Sequence, residues 1–174
     1  MKIIDTTKEL INRWFKRFRT FCYLFAIWAV IYSAINICNF KVAFEYNDGI
    51  IFVAKNQEGK VIQERTKVIP TLMALFMKII GVKIDVIVDE ENDLKLVKPP
   101  FADNMYIVKN QNEKYELLER NGYLIFFANS DEGVIQAKKA QIIPVRIKRN
   151  PKSKNPLNYN PRKFNERILP LSEI

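Results

Sequence analysis

The uncharged stretch between Arg19 and Lys41 limits what this chain can become more than any other feature. Residues 20–40 read TFCYLFAIWAVIYSAINICNF, where one threonine, one serine and two asparagines interrupt the apolar run. As a helix this stretch would extend for about 31 Å, the thickness of a bilayer's hydrocarbon core. A signal peptide has a shorter apolar region followed by a small-residue cleavage site. Ser33–Asn36 is a poor cleavage site, so the sequence predicts a retained transmembrane helix over residues 20–40.

Basic residues flank this segment unequally. Several precede it, between Arg13 and Arg19, whereas Lys41 is the first one after it. The positive-inside rule then places the N-terminus inside and residues 41–174 outside an inner membrane, either cytoplasmic or organellar. Residues 1–19 have the apolar stripe of an amphipathic helix. This segment is predicted either to lie among the lipid headgroups or simply to extend the transmembrane helix.

Charge and residue types exclude several classes of site. The net charge is +9, and histidine is absent from the sequence. Catalytic triads, metal sites and pH switches that depend on imidazole are therefore excluded. Cys22 and Cys38 would lie about 24 Å apart along a helix, too far for a disulfide between them. Residues 41–145 are close to neutral, so the positive charge is concentrated at the two ends of the chain.

Short apolar runs separated by turn residues follow the span, and they predict a mainly β extracytoplasmic domain over residues 41–149. Asn47-Asp48-Gly49 and Asn121-Gly122 are typical turn signals. Val68–Val82 is apolar almost throughout; a buried helix, a membrane-dipping segment and a strand all fit it. Pro144 predicts that the last strand lies at an edge. The predicted strands are Lys41–Tyr46, Ile50–Lys55, Lys60–Gln63, Lys83–Val88, Leu94–Val97, Met105–Val108, Tyr115–Leu118, Tyr123–Ala128 and Ile143–Ile147.

Residues 150–174 differ in character, because prolines punctuate a segment rich in lysine, arginine and asparagine. This composition predicts an extended basic tail without a core of its own. Such a tail suits an arm laid over a partner protein, or a contact with anionic lipid. Nucleic acid is not expected on the predicted side of the membrane. The candidate contact residues are Arg146, Lys148, Arg149, Lys152, Lys154, Tyr159, Arg162, Lys163 and Phe164.

An acidic cluster, Asp89, Glu90, Glu91 and Asp93, is the candidate cation site of this sequence. A calcium loop needs oxygen ligands at a fixed spacing and usually a glycine at its sharp turn. The cluster lacks that glycine, which favours a solvated turn. We therefore expect neither a metal nor a cofactor.

Three stretches resemble motifs of signal peptidase I, in the order in which that family carries them. Met77–Ile87 (MKIIGVKIDVI) resembles the segment with the family's lysine base. Gly122–Asp131 (GYLIFFANSD) is similar to its late strand and serine/aspartate loop, and Lys138–Val145 (KKAQIIPV) to its closing strand. The chain length resembles that of the conjugative-transfer type. The resemblance implies a β domain outside the membrane, with a serine nucleophile and a lysine base.

The dyad that this resemblance implies is not matched. Glu45 stands in the serine slot and Met77 in the lysine slot. Lys78 lies one residue further along, where a strand would turn it to the opposite face. Ser130 is the remaining candidate nucleophile in the domain. The resemblance therefore implies a scaffold without its catalytic groups.

These observations predict a non-catalytic, single-pass structural subunit of a multiprotein membrane complex. A secretion or conjugation apparatus and an organellar inner-membrane complex suit it equally, and its partners would be the lipid bilayer and other subunits. One alternative is a membrane-bound serine peptidase that processes exported proteins through Ser130, with Lys138 or Lys139 as the base. Another is binding of anionic lipid or nucleic acid through the basic tail.

Overall fold

α1 (Lys2–Cys38) is a continuous helix of 37 residues. In this computed structural model, which describes residues 2–55, 61–90, 97–151, 153 and 158–174, Asn12–Cys38 is long and apolar enough to cross a bilayer, with a mean hydropathy of 1.9. Because the helix is continuous, its basic N-terminal part runs directly into the apolar part. By length and composition, α1 fits a membrane anchor and a signal sequence alike.

Asn39–Ile174 forms a separate compact unit built around a parallel sheet. Its strands are β1 (Lys41–Glu45), β2 (Ile51–Lys55), β3 (Val61–Thr66), β4 (Lys83–Asp89), β5 (Asn104–Val108), β6 (Ile125–Ala128), β7 (Ile143–Ile147) and β8 (Arg167–Leu169). Among the described residues the sheet has six strands in the order β5-β4-β1-β6-β7-β8, all parallel, while β2 and β3 pair as a separate antiparallel hairpin. The strand order reverses between β1 and β6, which defines a doubly wound α/β fold.

Helices cover both faces of the sheet. α2 (Val68–Ile79) packs on β4, whereas α3 (Gln111–Asn121) and α4 (Asp131–Lys139) pack on each other. The core under α3 and α4 includes Ala43, Ile87 and Phe126. Because successive strand residues face opposite sides, Phe44 and Val86 point to the face that α2 covers.

The fold is mixed α/β and not mainly β, so the expected β domain, which the signal peptidase resemblance also implies, is wrong. Tyr115–Leu118 lies inside α3 and is not a strand. Asn110 caps this helix by accepting a hydrogen bond from the N–H of Glu113, and Gly122 ends it with φ 62°. Asparagine and glycine favour helix caps and turns alike, so both helix ends resemble the turns that flank strands.

The segments at Lys41–Tyr46, Ile50–Lys55, Lys83–Val88, Met105–Val108 and Tyr123–Ala128 do contain strands, with boundaries that shift by a few residues. The ambiguous stretch from Val68 is helix α2. Lys60 and residues 94–96 of two predicted strands lie outside the described residues.

The C-terminal segment joins the sheet, which corrects the expected separate tail. β8 pairs in parallel with β7, so β7 is an internal strand and not the predicted edge. Pro144 is compatible with this position because pairing with β8 begins only at Val145. Within residues 158–174, the C-terminal arm, the side chains of Glu166 and Ser172 are buried in the domain. The basic, proline-rich composition of the arm gives no indication of these buried partners.

Candidate functional site at the carboxyl end of the sheet

Glu45 is the last residue of β1 and lies at the carboxyl end of the sheet, where β1 is flanked by β4 and β6. It is only 2% exposed to solvent. Doubly wound folds bind their ligands at this switch point, outside the carboxyl ends of the strands. The fold therefore identifies the surroundings of Glu45 as the candidate functional site.

Four donors surround the Glu45 carboxylate. Oε2 accepts hydrogen bonds from the backbone N–H groups of Asn129 (2.6 Å) and Ser130 (3.1 Å). Oε1 accepts from the Ser130 hydroxyl (2.9 Å) and from Lys114 Nζ (3.0 Å). An ionised carboxylate offers about four lone-pair positions. These bonds therefore saturate the acceptor capacity of Glu45.

Lys114 projects from α3 into the site and is fully buried. Its ammonium group also forms an ion pair with Asp89 at the end of β4 (2.7 Å), whose side chain is 27% exposed. Burial lowers the pKa of Lys114, but the attraction of Glu45 and Asp89 outweighs burial and raises its pKa above the usual range. Lys114 therefore stays protonated and cannot serve as a general base at neutral pH.

The N-terminus of α4 completes the site. Ser130 is the N-cap, and its hydroxyl oxygen accepts a hydrogen bond from the N–H of Gly133 (2.9 Å). A Cβ atom at Gly133 would lie 2.3 Å from Glu45 Oε1, so a side chain there would displace the carboxylate. Helix N-termini bind anions through their N–H groups and dipole. Here the Glu45 carboxylate occupies, from within the chain, the position of such an anion.

Two asparagines close the site beside Glu45. The Asn129 amide donates a hydrogen bond to the backbone carbonyl of Asn47, and the Asn47 amide donates one to the carbonyl of Asp89 (3.4 Å). Within the described part of the chain, the Oδ1 atoms of both asparagines are buried without a donor. In the same residues, no cluster of three acidic, histidine or cysteine side chains is placed to hold a metal ion.

The structure brings Glu45 and Ser130 into contact but separates the other catalytic candidates from them. Lys78, next to Met77 near the end of α2, forms an ion pair with Asp103, which precedes β5. Lys138 donates a hydrogen bond to the carbonyl of Phe164. Lys138 and Lys139 lie in the last turn of α4, about 12 Å along the helix from Ser130 at its start. Neither lysine is placed to act as a base for Ser130.

Sequence reasoning missed Lys114 and Asn129, and it assigned Asp89 to a solvated turn. Asp89 instead pairs with a buried lysine. Glu90 is exposed, and Glu91 and Asp93 lie outside the described residues. One signal was present: in α3, Lys114 falls on the same face as Leu117 and Leu118, at spacings of three and four residues. A lysine in the apolar stripe of a helix indicates a buried ion pair.

A second buried charge cluster lies beside the first, around Arg146 of β7. Its guanidinium group donates hydrogen bonds to Asp131 (2.9 Å), Glu166 (3.0 Å) and the carbonyl of Asn129 (3.0 Å). The Tyr159 ring centre lies 5.5 Å away. Because Arg146 is fully buried, it is not a surface contact for lipid or a partner.

The carboxylates of this cluster are held in their ionised form. Burial alone would raise the pKa of Asp131, but hydrogen bonds from Asn160 and the charge of Arg146 lower it below the usual range. The pKa of Glu166 is also lowered, because backbone N–H groups and Arg146 outweigh burial. Arg146 therefore fastens the C-terminal arm to α4 and β7.

The other tail candidates form contacts within the domain or lie outside the described residues. Lys148 forms an ion pair with Glu173 (3.5 Å). Arg162 donates its backbone N–H to Glu166 (2.9 Å), and the Lys163 ammonium lies 5.4 Å from the Phe164 ring centre. The Arg149 side chain donates a hydrogen bond to the Ser153 carbonyl. The candidates Lys152 and Lys154 lie outside the described residues.

Fold and site define a doubly wound α/β domain whose switch point is filled by its own carboxylate. No protein-family model matches the chain. No curated protein sequence matches it either. A crystal structure of an uncharacterized protein from Listeria monocytogenes serotype 4b is similar, with a TM-score of 0.50 and 10% sequence identity; the match covers 76% of this chain and 91% of that chain. At this identity, the similarity concerns the fold alone.

Proposed function

We infer that the chain is a membrane-anchored, non-catalytic subunit of a membrane assembly. α1 would hold it in the bilayer, with its N-terminus inside and the α/β domain outside, as the distribution of basic residues favours. The observation that carries the non-catalytic assignment is the saturation of Glu45 by four donors. A carboxylate whose lone pairs are all engaged, with a protonated lysine against it, is a poor nucleophile and a poor base.

A serine hydrolase is the alternative that one contact favours. The Ser130 hydroxyl lies 2.9 Å from Glu45 Oε1, within the range for a nucleophile and its base. Both residues are buried, however, Ser130 at 1% and Glu45 at 2% exposure. Lys114 Nζ also donates to the same Oε1 atom (3.0 Å), so this oxygen is already engaged.

A fluorophosphonate probe distinguishes these two functions. The wild-type chain is treated in detergent and compared with Ser130→Ala and with Ser172→Ala, a control at another buried serine. A non-catalytic domain leaves all three proteins unlabelled. Labelling of the wild type and Ser172→Ala but not of Ser130→Ala would establish a reactive serine and overturn the proposal.

The structural role is tested on the chain in its native membrane. After mild detergent extraction, the wild type and Ser130→Ala are both expected in a complex well above the mass of one chain. An equal yield of that complex in both proteins supports assembly without catalysis. A wild-type chain that runs alone would contradict the proposed role.

Protease protection in sealed vesicles tests the orientation separately. A protease confined to the outer side should digest the α/β domain and leave the N-terminal segment intact. Digestion of the domain only from the inner side would reverse the orientation, and release of the chain by washing would refute anchoring.

A further inference from the structure

α2 exposes an apolar stripe on its outer surface. The five residues of this stripe are between 39% and 62% exposed, and they recur every three or four positions: Val68, Leu72, Leu75, Phe76 and Ile79. The opposite side of the helix buries Pro70 and Ala74. A surface helix usually turns its apolar stripe towards the core and its polar side towards solvent. α2 is apolar on both sides, which indicates that its outer side has a partner.

The stripe continues into an apolar cleft beside the helix. This cleft measures about 360 Å³ and is lined in part by Leu75, Ile50, Val97, Pro99 and Phe101. Val97 is itself 67% exposed. The apolar surface of α2 therefore extends beyond a single row of side chains.

Several basic residues lie at the amino end of the sheet, where α2 ends. Each helix of a parallel α/β unit runs back towards this end. The last turns of α3 and α4 carry Arg120, Lys138 and Lys139, and that of α2 carries Lys78, which is paired with Asp103. Lys41 and Lys83 are the paired first residues of β1 and β4. Apolar side chains beside a basic rim complement an anionic membrane surface, which offers an acyl layer beneath phosphate groups.

The covalent connection to α1 brings the same end close to a membrane. Only Asn39 and Phe40 separate the last residue of α1 from Lys41, and three residue steps reach about 10 Å. If α1 spans a bilayer, as the proposed function holds, β1 begins within the headgroup layer or just above it. A lipid surface is then always within reach, whereas a soluble partner must first bind.

We propose that α2 is a second membrane contact: its exposed stripe inserts into the headgroup region of a bilayer that contains anionic lipid, while Lys41 and Lys83 face the lipid phosphates. This inference rests on the membrane anchoring by α1 in the proposed function. It assigns the α/β domain a fixed orientation against the bilayer.

Site-specific fluorescence on the full chain tests this contact. Cys22 and Cys38 are replaced by serine, and a single Phe76→Cys or Glu116→Cys carries a bimane label. Glu116 is the matched control, an exposed helical position on α3, on the other face of the sheet. The chains are reconstituted in phosphatidylcholine vesicles with or without phosphatidylglycerol. Leu72→Cys repeats the measurement at a second position of the stripe.

The label at position 76 should emit at shorter wavelength with phosphatidylglycerol present. Nitroxide-labelled lipid should quench it severalfold more strongly than the label at position 116. Lys83→Gln should weaken docking by about fivefold, whereas Lys109→Gln, at the carboxyl end of β5, should not. Equal accessibility of positions 76 and 116 to aqueous iodide in vesicles would overturn the proposal. If the label at position 76 is protected from iodide only at a high protein-to-lipid ratio, the proposal is also overturned, and the partner of the stripe is a second copy of the chain.

The same samples report separately on α1. Both tryptophans of the chain, Trp14 and Trp28, lie in α1, so quenching of tryptophan fluorescence by nitroxide lipid measures its insertion. Quenched tryptophans with an unprotected label at position 76 refute the α2 contact alone. Unquenched tryptophans refute the membrane anchoring on which the inference rests.

Discussion

The two ends of the parallel sheet differ in the burial and pairing of their charged side chains. At the carboxyl end, the buried Glu45 and Lys114 form an ion pair, and the buried Arg146 pairs with Asp131 and Glu166. At the amino end, Lys83, Arg120 and Lys139 are exposed. The usual ligand-binding end of a doubly wound fold is thus closed by its own side chains, while the opposite end offers charge to the surroundings.

This difference indicates where the domain meets other molecules. Buried ion pairs cost desolvation and contribute little net stability, but breaking one partner from the other is expensive. The carboxyl end therefore acts as a fixed internal joint between strands, helices and the C-terminal arm. Exposed lysines carry little such cost, which leaves the amino end and α2 available for contacts.

Removal of Lys114 should cause the largest loss of stability. Lys114→Met leaves Glu45 buried with an uncompensated charge, and we expect unfolding free energy to fall by about 3–5 kcal/mol. Guanidinium unfolding of the full chain in detergent, followed by near-UV circular dichroism, measures this change. The double variant Glu45→Gln/Lys114→Met serves as the control, because it removes both charges and should cost less than the sum of the single changes. A loss below about 1 kcal/mol for Lys114→Met would show that water reaches the site.

Release of the C-terminal arm should be the next largest effect. Glu166→Gln removes the charge that binds Arg146 and two backbone N–H groups, so we expect a loss of about 3 kcal/mol. Hydrogen exchange should increase most across residues 162–169. The control, Glu173→Gln, alters a partly exposed pair with Lys148 and should change stability by at most about 1 kcal/mol. If the C-terminal arm of Glu166→Gln remains protected from hydrogen exchange, the pairing of β8 with β7 is sufficient to hold the arm in place.

Sequence patterns predicted much of the sheet but little of the site. The runs around Val42–Phe44, Ile84–Val88 and Phe126–Ala128 are apolar strands whose burial on both faces leaves a direct hydrophobic signal. The site depends on contacts between residues far apart in the chain, such as Glu45 with Ser130 and Lys114. Local sequence patterns do not show which strands pair, and this pairing brings the three residues together. Helix caps that resemble turns concealed α3 and α4, and with them the parallel topology.

Lys67 provides a smaller, pH-dependent test of the carboxyl end. Burial lowers its pKa to about 8, despite the nearby charge of Asp48, and its ammonium group donates to the carbonyl of Lys148 (2.7 Å). The native state loses this proton at lower pH than the unfolded state, so stability should rise with pH. We expect a gain of about 2 kcal/mol between pH 7 and 9.5. Lys67→Met should reduce the increase of unfolding free energy with pH relative to wild type. An equal pH dependence in both proteins would show that other groups cause the increase.

The outer side of α2 should be the region least sensitive to substitution in detergent. Leu72→Ser and Phe76→Ser alter exposed side chains and should each change the unfolding free energy by less than about 0.5 kcal/mol. Ala74 is fully buried on the inner side, so Ala74→Leu should cost about 1–3 kcal/mol through overpacking. Losses at Leu72 and Phe76 as large as the loss at Ala74 would mean that the stripe belongs to the core of the domain. Small losses at Leu72 and Phe76 would mean that the apolar stripe of α2 does not serve the stability of the fold. A contact outside the domain would then account for five large apolar side chains on one helix face.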